Sequence, residues 1–248
     1  MTRVPVLGDI VPLADDALLA AWGVARALER RPLDRLGDFV GEAFAAARAV
    51  VPGPLVHPTA VISPLANIGP DVVIGPGCVV HEFSTVRGHS VLSAGVHVGF
   101  GCEVTNAVIG RGTRLAHQVC LGYSVVGQDV HFTAALTVAS THLWNPDMAC
   151  PTRPIVIRLT GGELCVTGLA KLGALIGDRA RIGMHAALGP GLILGADTVV
   201  YPGVTAAATS VPAGHIIRPA STTVAVLPRH QPLTSALASI PSQEGPRP

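Results

Sequence analysis

The sequence predicts an all-β solenoid in which short strands wind around a narrow interior. From Val56 onward, an aliphatic residue recurs at every sixth position through nine consecutive hexads. A period of six matches neither the 3.6 residues of a helical turn nor the two-residue alternation of a strand. Each hexad is therefore a short strand plus a turn, and three hexads complete one triangular coil that pairs with the next through parallel hydrogen bonds. The nine residues are Val56, Ile62, Ile68, Ile74, Val80, Val86, Leu92, Val98 and Val104.

A second inward position, four residues after each aliphatic residue, carries a small side chain in every hexad. The residues are Ala60, Ala66, Val72, Cys78, Ser84, Ser90, Val96 and Cys102. One aliphatic and one small side chain per hexad fit the interior of a narrow prism, in which there is no room for a substrate. We therefore expect Cys78 and Cys102 to pack in the core, and any functional site to lie on the outside of the prism.

The repeat continues beyond Val104 with two slips of one residue and one long interruption. It proceeds through Ile109, Leu115 and Leu121, then Val126, Phe132 and Val138, and returns at Ile176, Ile182, Leu188, Leu194 and Val200. We assign the coil to residues 53–217 and an inserted loop to 139–171. Within the insertion, two apolar runs flank Thr-Gly-Gly at 160–162, which predicts a hairpin thrown out from the prism.

The two ends of the chain lack the repeat. Residues 1–52 have helical spacing with Asp15 or Asp16 as an N-cap and Pro32 between two helices, and we expect this segment to cap one open end of the prism. Residues 218–248 are rich in Pro and Ser, and we expect a disordered tail there.

Composition argues against several classes of partner. The formal net charge is +1 and the charged fraction is 13%, so the basic stripe typical of nucleic-acid binding is not expected. The mean hydropathy is +0.50, yet no window approaches the roughly 18 uninterrupted apolar residues of a membrane span. The five cysteines form no Cys-x-x-Cys pair, which favours free thiols, and the start of the chain has no cleavable hydrophobic segment; both predict a cytoplasmic protein.

Several segments resemble known hexapeptide-repeat enzymes. Gly-Val-His-Val-Gly at 95–99, the run 108–117, and the pairs Leu-Gly at 121–122 and Val-Gly at 126–127 are similar to the acetyltransferase domain of the bifunctional N-acetylglucosamine-1-phosphate uridylyltransferase family. The runs 171–178 and 201–204 are similar to archaeal sugar-1-phosphate nucleotidylyltransferases. The resemblance covers roughly residues 60–210 and implies a left-handed parallel β-helix. The nucleotidylyltransferase half is expected to be absent, because the first 55 residues contain no Gly-rich phosphate loop.

The resemblance implies roles for three residues. His117 falls where the family has its catalytic histidine, and a near-neutral imidazole can accept the proton of an amine or hydroxyl that attacks a thioester. Arg87 and Lys171, the single lysine of the chain, fall on family residues that clamp a sugar phosphate. The alternative is that Arg87 is a solvated turn cation and Lys171 a surface residue at the exit of the hairpin.

Other pocket positions depart from the family. Thr105 replaces a second clamping lysine, Cys120 a substrate-binding tyrosine and His131 an asparagine, while Ser-Thr at 140–141 replaces an Asn-Tyr pair. Each lost charge-assisted contact is worth on the order of 1–3 kcal/mol. The resemblance therefore suggests a less anionic acceptor, or a different reaction on the same scaffold. Cys120 near a histidine could also be a nucleophile, although a substituted pocket residue is the simpler interpretation.

The leading functional hypothesis is an acyltransferase that uses acetyl-CoA or another acyl-CoA, without a metal, and acylates an amino or hydroxyl group of a small acceptor such as an amino sugar. The coenzyme is expected near Met184, Ala186, Tyr201 and Gly203. Trp144 either roofs the pocket or anchors the inserted loop. Flat aliphatic faces that one helical segment cannot cover predict a homotrimer.

Two other functions stay open. A metal enzyme of the γ-carbonic anhydrase type would use histidines such as His81 and His117, which lie 36 residues apart, although Gly122 stands where a third ligand is expected. A repurposed or non-catalytic coil would explain the substituted clamp positions.

Overall fold

The computed structural model describes residues 4–51 and 53–219, and it is a parallel β-solenoid, so the predicted fold class is confirmed. Each coil contributes one short strand to each of three lateral faces. The strands of one coil pair in parallel with those of the coils before and after it, at the register set by the inward aliphatic residues.

The three faces, called face 1, face 2 and face 3, follow one another along every coil. Face 1 consists of β1 (Val61–Ile62), β4 (Val79–Val80), β7 (His97–Val98), β9 (Arg114–Leu115), β11 (His131–Phe132), β16 (Arg181–Ile182), β19 (Val199–Val200) and β22 (Ile216–Ile217). Face 2 consists of β2 (Asn67–Ile68), β5 (Thr85–Arg87), the first half of β8 (Glu103–Ile109), the first half of β10 (Cys120–Val126), β12 (Thr137–Val138), β17 (Ala187–Leu188) and β20 (Thr205–Ala206). Face 3 consists of β3 (Val72–Ile74), β6 (Ser90–Leu92), the second halves of β8 and β10, β15 (Ala174–Ile176), β18 (Leu192–Leu194) and β21 (Ser210–Val211).

The slips in the repeat correspond to a shortened corner between faces 2 and 3. Val79 pairs with His97, and His97 pairs with Arg114, so the coil shortens from 18 to 17 residues. In the two coils concerned, β8 and β10 run around the corner without a break, and Asn106 and Tyr123 turn the chain there with φ of +50° each.

The interior is a continuous column of aliphatic side chains, as the hexads predict. Cys78 and Cys102 are fully buried in it, which confirms that they are core residues. Burial raises the pKa of the Cys78 thiol to about 11, and the thiol donates to the carbonyl oxygen of Ser93 at 3.0 Å. Burial likewise raises the pKa of Cys102.

The coils approach so closely at the corners that some positions accept only glycine. Gly99 follows the inward residue Val98, and its amide donates to the carbonyl oxygen of Leu115 at 2.8 Å. A Cβ atom at Gly99 would overlap the carbonyl oxygen of Ala116 in the next coil.

The N-terminal segment contains three helices, α1 (Ala17–Ala21), α2 (Val24–Leu28) and α3 (Phe39–Val50). Asp16 is the N-cap of α1, since its carboxylate accepts from the amides of Leu18 and Leu19 at 3.0 and 3.1 Å. The same carboxylate accepts from the Ser93 hydroxyl at 2.8 Å and from the Arg111 amide at 2.7 Å. One buried acid therefore caps a helix and joins the helical segment to the prism.

The expectation that the helical segment caps an open end is wrong, because it covers face 3 laterally. The outward residues of face 3 are aliphatic and buried against the helices and the hairpin: Val73, Val91, Val108, Val125, Leu175 and Ile193. A face that is apolar on both sides needs an apolar cover over its full height. An open end exposes far less apolar surface.

The inserted hairpin has the predicted pairing, since β13 (Val156–Arg158) runs antiparallel to β14 (Leu164–Val166). It is not thrown out from the prism, however. Ile155 and Ile157 are fully buried in the same apolar layer as the helices, and Arg158 bridges to Thr209 of the last coil. The hairpin thus completes the cover of face 3.

The predicted tail, 218–248, lies outside the described residues from position 220 onward. Among the helices of the described part of the chain, none is long and apolar enough to cross a membrane.

We expect Val98→Asp to abolish cooperative folding, because Val98 is fully buried in the prism and a carboxylate there would have no partner. The matched control is Val61→Asp on the same face, whose side chain points outward and is 64% exposed; this variant should melt like wild type. Cys78→Ala should also fold, with a loss of about 1 kcal/mol. Thermal unfolding followed by circular dichroism measures all three, and a cooperatively melting Val98→Asp protein would mean that the inward register is wrong.

Candidate functional site

His117 lies on the edge between faces 1 and 2, in the turn that joins β9 to β10, and is exposed. The following residue, Gln118, has φ of +53°, and its amide donates to the carbonyl oxygen of Phe100 at 2.8 Å. The amide of Ala135 donates to the carbonyl oxygen of His117 at 2.9 Å. Hydrogen bonds to the coils on both sides therefore hold the backbone of His117 at a fixed height, while its ring is accessible from solvent.

Four polar residues form a cluster on the outer side of face 2, called the face 2 cluster: Arg87, Glu103, Thr105 and Cys120. The Arg87 guanidinium donates to Glu103 Oε1 from Nη2 at 2.6 Å and from Nε at 3.2 Å. The Thr105 hydroxyl donates to the same oxygen at 3.2 Å. The predicted clamp residue Arg87 is thus already paired with a carboxylate.

Cys120 occupies the position next to Glu103 on the neighbouring strand. Burial raises the pKa of the Cys120 thiol, the Glu103 carboxylate raises it further, and the Arg87 guanidinium lowers it. A thiol whose pKa is raised is mostly protonated at neutral pH, and the protonated form is a poor nucleophile. The environment therefore favours the interpretation of Cys120 as a pocket residue.

Lys171 lies at the opposite edge of face 2 from His117. Its Nζ atom is 5.4 Å from the centroid of the Tyr123 ring, within the range of a cation–π contact. Asp38, Asn106 and Leu169 line the same cleft, whose volume is about 280 Å³. The structure therefore separates Lys171 from His117 by the width of face 2, and gives Lys171 a partner in its own chain.

His131 lies around the corner from the face 2 cluster, on face 1, where it pairs with Arg114 and Arg181 of the adjacent strands. Burial lowers the pKa of the His131 imidazole, and the positive charges of Arg181 and Arg114 lower it further. His131 is therefore a neutral ring beside two cations at neutral pH.

The residues expected near the coenzyme follow His117 along the same edge. The chain of backbone contacts runs from His117 through Ala134 and Met184 to Gly203, and Tyr201 lies at the start of the last of these turns. Ala186 is an exception, because its side chain is only 2% exposed and points into the core. The expectation that the Ala186 side chain contacts the coenzyme is therefore wrong.

Trp144 lies in the inserted loop with its side chain 70% exposed. Asn145 fixes this loop, since its side-chain oxygen accepts from the amides of Thr152 and Arg153 at 3.0 and 2.9 Å. The interpretation of Trp144 as an anchor of the loop is wrong, because Asn145 performs that task and Trp144 points outward.

The pair of histidines considered for a metal site is not aligned. Two shortened and full coils bring the register from Val80 through Val98 to Leu115, so the residue that follows, Ala116, stands above His81. His117 is one position farther along the turn. Within residues 4–51 and 53–219, His, Cys, Asp and Glu form no group of three that could hold a metal ion.

The sequence analysis assigned no role to Glu103, the residue that pairs Arg87 and borders Cys120. Glu103 precedes Cys120 by 17 residues and follows Arg87 by 16, which is close to the length of one coil. Adding one coil length to each candidate position would have found it.

Comparisons with known proteins agree with the resemblance over about half of the chain. The family model described as the GMPPB C-terminal domain matches residues 50–147. A bifunctional sugar-1-phosphate nucleotidylyltransferase/acetyltransferase of Sulfurisphaera tokodaii is 30% identical over 48% of this chain and 28% of its own length. The acetyltransferase YaiX of Escherichia coli O6:K15:H31 is 31% identical over 48% of both chains. The predicted recognition is thus confirmed for the matched part, and the chain spans half or less of these curated relatives.

Solved structures with a similar fold include acyltransferases. A perosamine N-acetyltransferase mutant from Caulobacter crescentus, in complex with CoA and GDP-perosamine, has 19% identity and a TM-score of 0.28 over 62% of this chain and 51% of that chain. The N-acyltransferase AntD from Bacillus cereus, as an S84T mutant with dTDP and coenzyme A, has 13% identity and a TM-score of 0.36 over 63% and 74%. At these scores the matches carry no argument about substrate or cofactor.

We expect the thiol of Cys120 to react slowly at neutral pH, because its raised pKa reduces the thiolate fraction. The test uses a Cys150→Ser protein, in which Cys120 is the remaining exposed cysteine of the described chain, and measures the alkylation rate with iodoacetamide against pH. The midpoint should lie above the ordinary value of about 8.5, and Glu103→Gln should lower it. A midpoint below the ordinary value would identify an activated nucleophile instead.

Proposed function

We propose that the protein is an acyl-CoA-dependent acyltransferase that acylates an amino or hydroxyl group of a small polar acceptor of the amino-sugar class. The observation that carries the proposal is the position of His117. It stands exposed on a prism edge beside the face 2 cluster, inside the segment 50–147 that matches acetyltransferase-type relatives. Acetyltransferase activity in those relatives supports the same reaction class here.

In this reaction the acyl-CoA supplies a thioester, and the acceptor nitrogen or oxygen attacks its carbonyl carbon. The nucleophile must lose a proton as the new bond forms, and a ring nitrogen of His117 accepts it. The bond to sulfur then breaks, and the proton held by His117 can pass to the leaving thiolate. One histidine therefore suffices as base and then as acid.

The residues around His117 divide the binding task. On one side, Thr105, Cys120 and the Arg87–Glu103 pair offer polar contacts to an acceptor that lies on face 2. On the other, the edge past Ala134 offers the partly exposed side chains of Met184 and Tyr201 to an extended coenzyme. His117 lies between the two surfaces, where donor and acceptor would meet.

A second copy of the chain is part of the proposal. The edge of a triangular prism is convex, so a ligand at His117 remains open to water on one side of a single chain. Association into a closed homotrimer would place the face of a neighbouring copy against this edge. The outward-pointing Trp144 and Leu143, which are 70% and 80% exposed, offer apolar surface for that contact.

The cellular location is a further part of the proposal. All five cysteines are free, and two of them, Cys120 and Cys150, are exposed. Exposed free thiols persist in a reducing compartment, and we therefore assign the enzyme to the cytoplasm.

We expect His117→Ala to lower acetyl transfer from acetyl-CoA to an amino-sugar acceptor by roughly 10²- to 10⁴-fold, the usual contribution of a positioned base. The measurement is release of free coenzyme A thiol under saturating substrates. The control is His215→Ala, which removes an exposed histidine of the last described coil and should leave turnover unchanged. Light scattering should give the same mass, near three times 25.3 kDa, for both variants; wild-type turnover in His117→Ala would refute the mechanism.

We expect Lys171→Ala to raise KM for the acceptor and to change kcat little, because a clamping ammonium attracts the ground state and the transition state alike. Tyr123→Leu separates this role from a structural one, since it removes the ring beneath the ammonium and keeps the charge. An unchanged KM in Lys171→Ala, or an equal increase in Tyr123→Leu, would show that Lys171 serves the fold of this edge and not acceptor binding. Steady-state kinetics with varied acceptor measures both.

A further inference from the structure

Four side chains that can carry positive charge form one row on face 1, called the cationic row. His97, Arg114, His131 and Arg181 are direct register partners on the consecutive strands β7, β9, β11 and β16. Adjacent strands lie about 4.8 Å apart, so the row extends over roughly 14 Å. The positions before and after it in the same register are Val79 and Val199, so the charge is confined to the middle of the face.

Like charges on neighbouring strands destabilise a sheet, and the histidines show the effect. Burial lowers the pKa of His97, and the charges of His81, Arg114 and His117 lower it further. The pKa of His131 falls for the same kinds of reason. The row therefore carries a cost that the interior of the fold does not explain.

The arginines of the row have no carboxylate partner of their own within the described part of the chain. Arg114 makes no ion pair there, and Arg181 donates from Nη1 to the carbonyl oxygens of Asp129, Arg179 and Ala180 at 2.6, 3.1 and 3.2 Å. The carboxylate of Asp197 interacts with Arg181 electrostatically but is bound by both ends of the Arg179 guanidinium, at 2.8 and 2.7 Å. Glu82 lies 3.7 Å from His81, outside the row. The positive charge of the row is thus left without compensation.

A groove adjoins the row on its later coils. His131, Thr133, Arg181, Gly183 and Tyr201 are among its lining residues, and its volume is about 390 Å³. Gly183 contributes no side chain, so the space beside Arg181 stays open. The groove is large enough for one or two phosphate groups next to a planar guanidinium, the side chain best suited to bind them.

We propose that the cationic row binds the phosphate or pyrophosphate group of a substrate. This assignment deepens the proposed function, on which its role in acyl transfer rests, because it makes the substrate an anion although Thr105 leaves face 2 without a second clamping cation. On face 2, Arg87 is already neutralised by Glu103. On face 1, Arg114 and Arg181 are free, and the neutral His131 between them can donate one hydrogen bond to an anion without adding charge repulsion.

The first test measures binding of labelled inorganic pyrophosphate by equilibrium dialysis at low salt, with no acyl donor present. We expect Arg114→Gln and Arg181→Gln each to weaken binding about tenfold, as the loss of one charge-assisted contact predicts, and the double variant to weaken it more. Arg153→Gln is the matched control, since it removes the same charge from an exposed position of the inserted loop and should bind within twofold of wild type. Thermal melts establish that every variant is folded.

Two results would overturn the proposal. One is a double variant that binds pyrophosphate as wild type does, and the other is an Arg153→Gln or Arg87→Gln protein that loses as much affinity as the row variants. The first would remove the row from anion binding, and the second would indicate general charge attraction or a clamp on face 2. Since dialysis involves no turnover, the row can be confirmed even if the acyltransferase proposal fails.

Competition identifies the source of the phosphate. Displacement of pyrophosphate by glucosamine 1-phosphate or a nucleoside-diphosphate amino sugar, and not by free coenzyme A, would assign the row to the acceptor. Displacement by coenzyme A alone would assign it to the acyl donor. Displacement by none of them would mean that the row serves no substrate of this reaction and would overturn the proposal.

Discussion

Parallel backbone pairing between successive coils is the constraint on which the rest of the structure depends. It fixes the side chain that lies one coil above any given position, so residues 17 or 18 apart in sequence become neighbours. Because the interior must be filled by one aliphatic and one small side chain per strand, half of the positions have no freedom to carry chemistry. Function is left to the outward rows and the corners, where every change in one coil acts on the next.

The three faces have accordingly separate uses. Face 3 is aliphatic on its outer side and is covered by α1–α3 and the β13–β14 hairpin, with the Asp16 carboxylate joining cover to coil. Faces 1 and 2 carry polar outer rows and meet at the edge that holds His117. The cover thus supplies stability on one side and leaves two adjacent faces and their shared edge open to ligands.

The six-residue period was sufficient to predict the solenoid, the insertion and the buried Cys78 and Cys102, because each depends on spacing along one chain. It was insufficient where the outcome depends on what packs outside the coil. The helices could have covered an end or a face, and only the aliphatic outer row of face 3, Val73 among its members, decides for the face. The proposed alignment of His81 with His117 failed for a related reason, since one shortened corner moves every later residue by one position.

The positive charge of the site has moved relative to the family pattern. At the lost clamp position, Thr105 donates to the same Glu103 oxygen that binds Arg87, so the hydrogen bonds of face 2 are satisfied internally. Face 1 shows the reverse, because its two arginines alternate with histidines and have no carboxylate of their own in the described chain. Neutral histidines reduce the repulsion between arginines about 10 Å apart. Such an arrangement is stable enough to fold without a ligand, and still presents an anion with two uncompensated guanidinium groups on the face next to His117.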